Sequence, residues 1–535
     1  MLLQEQKGRM PFFKRLRQNS QMNEIDSTLI IRMSVIGVLV GAVAGFFGAT
    51  FRYWIMAGED YRHIIMNQLT PLTLGIWLVA MVVFGWACAR LLKWAPLSGG
   101  SGIPQIEGEM LGVMNDTKPH RTLISKYIGG VLNGICGFSV GREGPSVQLG
   151  GAAGKIISYL LHSPRQEQRL LMSAGAAAGL TAAFSAPVSG AIFAFEEVHK
   201  SFYPLLVIPT FTATIASNFV TSTIFGLQPS LGFTVVDGLP LHYFYQLIGV
   251  GLISGVVGVA FNKSILLFKR LFSYLPMGLN GKIIMTFLVV TLIGLDSQLL
   301  LGGGNSLVGE LAYGHYALWI LLGIVVGKIL LTAFCFGSGI QGGIFLPMLV
   351  IGASVGAFTH GLFHEFGLVT NVYQANIVIC AMSGVLAAAM RTPLLAIMLV
   401  LEMTNSFFSI YQVGTVAIVA YLVADLMKEP PVYDSLLGLM IKPRSEIEME
   451  QTFFQCHLPV VSPLVGKALQ DIVMPKSASL VSISRQGQHI VPQSQTVLEA
   501  GDDLYVTCQT GQLKEAKEFF QKESVREHEE EKDKS

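Results

Sequence analysis

The chain has 535 residues, of which 51% are apolar and only 13% charged, and its formal net charge is +1. Soluble domains carry about 25% charged residues, so this balance excludes an ordinary soluble protein and indicates a membrane one; mean hydropathy is +0.54. A net charge so close to zero also argues against a nucleic-acid partner.

Residues 1–27 are polar and basic, with Lys7, Arg9, Lys14, Arg15 and Arg17 ahead of the first apolar run. No cleavable signal peptide is evident, and the positive-inside rule predicts a cytoplasmic N-terminus. Runs long enough to cross about 30 Å of hydrocarbon begin at 29–51 and 72–92. A glycine-rich turn, Pro96-Leu-Ser-Gly-Gly-Ser-Gly-Ile-Pro104, then leads into a short helix. Apolar segments follow at 121–138, 169–183, 184–198 and 205–225, and again at 245–268, 283–300, 317–336, 344–363, 375–390, 393–403 and 411–427. Several are short or broken by Gly and Pro, as helices that stop partway through a membrane require. The 57 glycines suit closely packed helices. Six scattered cysteines (Cys88, Cys136, Cys335, Cys380, Cys456, Cys508) form no CxxC pair and read as buried free thiols.

Within this apolar background stands Gly141-Arg-Glu-Gly-Pro-Ser-Val-Gln-Leu-Gly150, which places Arg142 and Glu143 in membrane-length sequence. Ionisable groups there are costly and usually mark an ion or proton path. Pro145 suits the first turn of a helix, and Gly141 and Gly144 let backbone N–H groups approach a ligand. A helix start with bare amides attracts an anion, and the Glu143 carboxylate is itself an anion. The pattern therefore predicts that Glu143 and a transported anion compete for one site. Read alone, Glu143 is equally a structural partner of Arg142 or Lys126.

An internal repeat underlies these segments. A shift of 202 places Gly141, Pro145, Gly150 and Gly154 on Gly343, Pro347, Gly352 and Gly356, and Lys126 on Lys328. A shift of 206 places Pro187 on Pro393 and Glu196 on Glu402. Duplicated transporters hold their substrate where the halves meet. The repeat favours a structural role for Glu196, and successive residues 100° apart put Glu197 on another face. Ser101 reads equally as a helix N-cap, and Tyr433 as an interfacial belt residue. No metal site or cofactor is expected, since His120, His162 and His199 lack ligand spacing.

After residue 440 the composition changes. A charged linker spans 441–452, a small α/β domain is predicted over 453–520, and 521–535 is a charged tail. Strands are expected at 480–484 and 504–508, with a turn at 485–488. This part shows no nucleophile–base pair or phosphate loop, so no enzymatic activity is expected.

Three stretches in this order and spacing, Gly100-Ser-Gly-Ile-Pro104, Gly141-Arg-Glu-Gly-Pro145 and Gly343-Ile-Phe-Leu-Pro347, resemble the CLC family of chloride channels and chloride/proton antiporters. Tyr433 matches that family's pore tyrosine, and Leu346 departs from the alanine of many members. The resemblance implies a polytopic α-helical inverted repeat over 28–440, with halves at about 28–226 and 240–440. It also implies a homodimer whose subunits each have their own pathway. Chloride would lie between the hydroxyls of Ser101 and Tyr433 and the amides of Ile344 and Phe345, beside the backbone of Gly100, Arg142 and Gly144. Glu143 would be the gate and proton carrier. Glu197 would be the internal proton-transfer glutamate of the antiporters, a position seldom acidic in the channels.

The stretch from Ser462 to Val506 resembles the C-terminal regulatory domain of potassium-uptake regulators (RCK-C type), with cyclic di-adenylate among its possible ligands. The implied function is chloride/proton exchange in a prokaryotic cytoplasmic membrane, both termini cytoplasmic. The alternatives are a passive voltage- or ligand-gated chloride channel, a fluoride or nitrate exchanger, and a membrane receptor that signals through its soluble domain.

Overall fold

The computed structural model describes residues 27–441, apart from 69, 233–234 and 236–238, and the greater part of 451–519. The N-terminal segment, most of the linker and the tail named above lie outside the described residues. The chain divides into two units, Met1–Met440 and Ile441–Ser535.

Among the described residues, the first unit is helical apart from isolated bridges. In chain order its elements are α1 (Ser27–Asn67), α2 (Pro71–Trp94), α3 (Ile103–Met110), α4 (Pro119–Ile135), α5 (Glu143–Leu160), α6 (Arg165–Phe184), α7 (Pro187–Phe193) and α8 (Pro204–Phe225). The second half runs α9 (Phe244–Tyr274), α10 (Leu279–Asp296), α11 (Asn305–Tyr313), α12 (Leu318–Gly337), α13 (Phe345–Glu365), α14 (Gln374–Met390), α15 (Pro393–Thr404), α16 (Ile410–Leu426) and α17 (Val432–Met440). Among the described residues, nine helical stretches are long and apolar enough to cross a membrane. Outward-facing Val79, Val83 and Trp86 on α2 leave apolar surface for lipid.

Two expectations need correction. The first span is far longer than 29–51, because α1 continues through Glu59 and Arg62 to Asn67. The apolar segment 184–198 is not a single helix. α6 ends at Phe184, Ser185 takes a left-handed φ of 54°, and α7 restarts at Pro187 before passing into a π turn, Ala194–Val198. Pro187 drives the break, since proline lacks an N–H and disfavours helix in the residue before it. The second half repeats the device: α14 ends at Met390, Arg391 has φ 65°, and Pro393 opens α15.

The repeat is visible in its bonds. Buried Lys126 donates to the carbonyls of Ser98 (2.8 Å) and Gly100 (2.7 Å). Its counterpart Lys328 donates to those of Leu300 (2.9 Å) and Gly302 (2.8 Å). Glu196 accepts from the N–H groups of Leu394 (3.1 Å) and Leu395 (2.6 Å) at the start of α15. Glu402 does the same for Val188 (3.1 Å) and Ser189 (2.8 Å) at the start of α7. Each half thus caps a helix of the other, which satisfies amides the helix itself cannot. The glycine rows pack α5 on α6 and α13 on α14; a Cβ on Gly150 would come within 2.0 Å of the Gly175 carbonyl.

The second unit holds a four-stranded antiparallel sheet in the order β1-β4-β2-β3, from β1 (Gln451–His457), β2 (Ala478–Arg485), β3 (Gln488–Ile490) and β4 (Asp503–Gln509). β2 and β4 contain the two strands expected. β1 begins inside the stretch read as linker. β2 and β3 pair up to Arg485↔Gln488, and the middle of the turn predicted at 485–488 lies outside the described residues. Leu458, Ile483, Leu498, Leu504 and Val506 form the core. Arg485 clamps buried Asp502 through two bonds, Nε to Oδ1 at 2.9 Å and Nη2 to Oδ2 at 2.8 Å. Burial opposes the charged carboxylate, but the Arg485 hydrogen bonds prevail and hold the Asp502 carboxyl below its ordinary value.

Candidate functional site

Backbone pairing brings the three motifs together. Gly141 and Gly343 exchange both bonds, N–H to carbonyl at 2.7 and 2.8 Å. Gly100 donates to Ile340 (2.8 Å) and accepts from Gly342 (3.0 Å). Side chains would prevent this: a Cβ on Gly144 would lie 2.3 Å from Ser101 Oγ and 3.2 Å from the Cα of Gly343. The result is a buried crossing at which α5 and α13 both begin, next to the loop that opens α3.

Glu143 is the first residue of α5 and is fully buried. Its Oε2 accepts from the N–H of Leu346 at 3.3 Å, in the first turn of α13. The carboxylate therefore takes an amide at a helix N-terminus, the place an anion would take. Of the two structural partners considered, Lys126 is engaged with the Ser98 and Gly100 carbonyls instead. Arg142 lies alongside, with Nε 3.7 Å from Glu143 Oε1, but neither atom has a hydrogen-bond partner among the described residues. Arg52 of α1 adds a second guanidinium within electrostatic reach of Arg142 and Glu143, and donates to Ser185 Oγ at 3.0 Å.

The neutral donors lie close by. Gly102, not Ser101, is the N-cap of α3, and its N–H is met by Gln105 Oε1 at 3.0 Å. The Ser101 hydroxyl is thus not spent as a cap. Ser101 Oγ and Tyr433 Oη lie side by side, both buried, neither with a hydrogen-bond partner of ordinary geometry among the described residues. Tyr433 is 0% exposed, so it is no interfacial belt residue. Buried polar atoms are nearly always bonded, and the Ser101 and Tyr433 hydroxyls have at most a poorly aligned contact with each other, which leaves both able to donate to an anion. Ile344 and Phe345 are fully buried at the N-cap and first position of α13, where amides have no partner within the helix.

Glu197 stands apart from this cluster, 2% exposed in the π turn after α7. Tyr433 is within electrostatic reach of both Glu143 and Glu197. Glu107, Lys200 and Asp434 surround Glu197, and Lys200 Nζ bridges Glu107 (3.0 Å) and Asp434 (2.7 Å). Sequence reasoning missed this group. The available signals were a glutamate in the short helix after the first motif and an aspartate immediately after Tyr433.

Comparison with known proteins bears on the family and the fold. Residues 79–425 match the voltage gated chloride channel family and residues 458–521 match the TrkA-C domain. The "H(+)/Cl(-) exchange transporter ClcA" of Vibrio cholerae serotype O1 strain O395 is 33% identical over 446 residues, 80% of this chain and 92% of that protein. ClcA of Yersinia pestis bv. Antiqua strain Angola is 32% identical over 445 residues, 79% and 91% of the two chains. A slow cyanobacterial Cl⁻/H⁺ antiporter superposes with a TM-score of 0.73 at 29% identity, covering 78% of this chain and 99% of the other. A CLC-type fluoride/proton antiporter shares the fold, with a TM-score of 0.62 at 22% identity over 79% and 98% of the chains. With these motifs, this fold and these relatives, the chain belongs to the CLC family and is a multi-pass membrane protein that ends in a TrkA-C domain.

Proposed function

We propose that the protein exchanges chloride for protons, with Glu143 as gate and proton carrier and Glu197 as the internal proton acceptor. The observation that carries this is the Glu143 carboxylate bonded to the Leu346 amide. A group already acting as an anion at that helix terminus must leave, or take a proton, before chloride can bind there. Ser101, Tyr433 and the amides of Ile344 and Phe345 hold chloride, beside the backbone of Gly100, Arg142 and Gly144. Neutral donors suit a large, weakly hydrated ion that must also be released. Ser101 favours chloride over nitrate. Glu197 lies off the anion's route and within reach of Tyr433, so a proton can arrive without displacing chloride.

Both termini are cytoplasmic in this reading, in the cytoplasmic membrane of a prokaryote, and the protein acts as a homodimer without catalysing a reaction. The unit over 453–520 modulates the rate and takes a small ligand, cyclic di-adenylate being one candidate. A passive channel is the second reading, and Glu197 disfavours it. Glu143→Gln keeps the shape and removes the charge. Anion flux recorded with pH should show chloride movement persisting and proton coupling gone. Uphill proton movement in that variant would contradict the assignment.

A further inference from the structure

A second feature of the membrane unit lies on the approach to the seat. A cavity of about 250 Å³ runs from the Ser101 loop to the end of α17, with Gln105, Phe336, Leu436 and Met440 on its wall. Among the described residues, the single titratable side chain lining it is Lys269 of α9. Lys269 is half-buried and makes no ion pair among the described residues, whereas Lys263 in the same helix faces Glu429 at 3.9 Å. Its ammonium stands 5.5 Å from the centroid of the Phe336 ring. The edge of that ring abuts the loop, with Cζ 3.7 Å from where a Gly100 Cβ would be.

An uncompensated ammonium at membrane depth is costly, and such groups face water-filled paths that use their charge. We propose that Lys269 is the cation that gathers chloride into this vestibule and delivers it to Ser101. Two properties suit it to the task. It is a point charge in a cavity with apolar walls, which focuses the field and raises the local anion concentration. It is also held by an aromatic face rather than by a chelating set of donors, so an anion attracted there is not trapped. The acidic group of Glu107, Glu197 and Asp434 contributes none of its members to this wall. Ser101, Gln105 and Leu436 line the vestibule, while Glu107 and Asp434, on the same two short helices, belong to the acidic group. Helices α3 and α17 therefore separate a cationic approach from an acidic one.

This inference rests on the chloride-transport reading, and its test separates the two. Vesicles are sorted by capture through a tag on the C-terminus, so that chloride is titrated from one face at a time at fixed ionic strength. Lys269→Gln should raise the half-saturating chloride concentration on the tag-bearing face by about three- to tenfold at low salt. The difference should shrink to less than about twofold near 1 M salt, where the screening length falls to about 3 Å. The opposite face should be unaffected, and Lys269→Arg should behave as wild type. Lys269→Cys keeps the test independent of folding, because the six native cysteines are buried. A thiol reagent that adds an ammonium should restore the wild-type value, and one that adds a sulfonate should worsen it. Equal half-saturation in wild type and Lys269→Gln, equal shifts on both faces, or indifference to reagent charge would each overturn the proposal. A wild type that carries no chloride from either face would instead overturn the transport reading.

Discussion

The two halves of the membrane unit share one frame and differ in charge. Where the first half sets Gly141-Arg-Glu-Gly-Pro145, the second sets Gly343-Ile-Phe-Leu-Pro347, so Glu143 corresponds to Phe345 and Arg142 to Ile344. Both segments open buried helices, α5 and α13, and the two are joined by the Gly141–Gly343 bonds. The polar residues that repeat bind backbone: Lys126 and Lys328 hold loop carbonyls, and Glu196 and Glu402 cap helices. The side chains assigned to transport do not repeat. Ser101 corresponds to Gly303 and Glu143 to Phe345 at a shift of 202, and Glu197 to Met403 at 206. The symmetric polar residues build the frame, and the three asymmetric ones are those proposed to act on the ion and the proton.

The sharpest way to break this comparison lies in two adjacent residues. Glu197→Gln should abolish proton coupling while chloride still moves. Glu196→Gln should retain coupling and cost about 0.5–2 kcal/mol of stability, as expected of a weakened helix cap. Simultaneous chloride and pH recording, with thermal unfolding of the purified proteins, reads both. Equal loss of coupling in the two variants would erase the distinction.

Next in size are the buried lysines. Lys126→Met and Lys328→Met each remove the donor to buried loop carbonyls, although Gly100 keeps its bond from Gly342; at about 1–3 kcal/mol for each carbonyl left without a partner, each variant should lose about 1–5 kcal/mol. If the symmetric positions are only structural, the two losses should be similar, and any folded fraction should keep its coupling ratio. Coupling lost in one variant alone would give that lysine a part in transport.

The smallest effect lies in the C-terminal unit and is a control for the membrane unit. The folded-state value of the Asp502 carboxyl is held below the ordinary one. Its stabilisation is therefore fully present above the unfolded value of about 3.9 and is lost as pH falls through the lower folded value. Asp502→Asn should cost about 1–2 kcal/mol at neutral pH, and the deficit should close as pH falls through the lowered folded-state value. Because Arg485 is partly exposed, the upper end of the buried-pair range is not expected. Hydrogen exchange across β2 and β4 follows it, and chloride flux should not change.

What was legible in the sequence was local. The three glycine motifs announce themselves because tight crossings and helix starts demand Gly and Pro at fixed spacing. Glu143, Ser101, Ile344, Phe345 and Tyr433 converge where their motifs converge. The break at Ser185–Pro187 was legible to within a few residues, since the reading already divided 169–183 from 184–198, but its exact place depends on Pro187. The cluster of Glu107, Lys200 and Asp434 around Glu197 could not be read, since its members come from three separate segments that only the fold brings together. Lys269 was equally silent, because a lone lysine acquires meaning only from the cavity it lines. β1 was missed because the paired Phe453 and Phe454 break the alternation that marks a strand.

The account stands or falls on whether chloride and proton movement are linked. Vesicles carrying the wild-type protein are given a chloride gradient at equal pH on both sides, with the voltage clamped near zero, and proton movement is recorded. Chloride running down its gradient should drive protons uphill in the opposite direction. Chloride flux with no proton movement would make the protein a channel and leave Glu197 without the part given to it here.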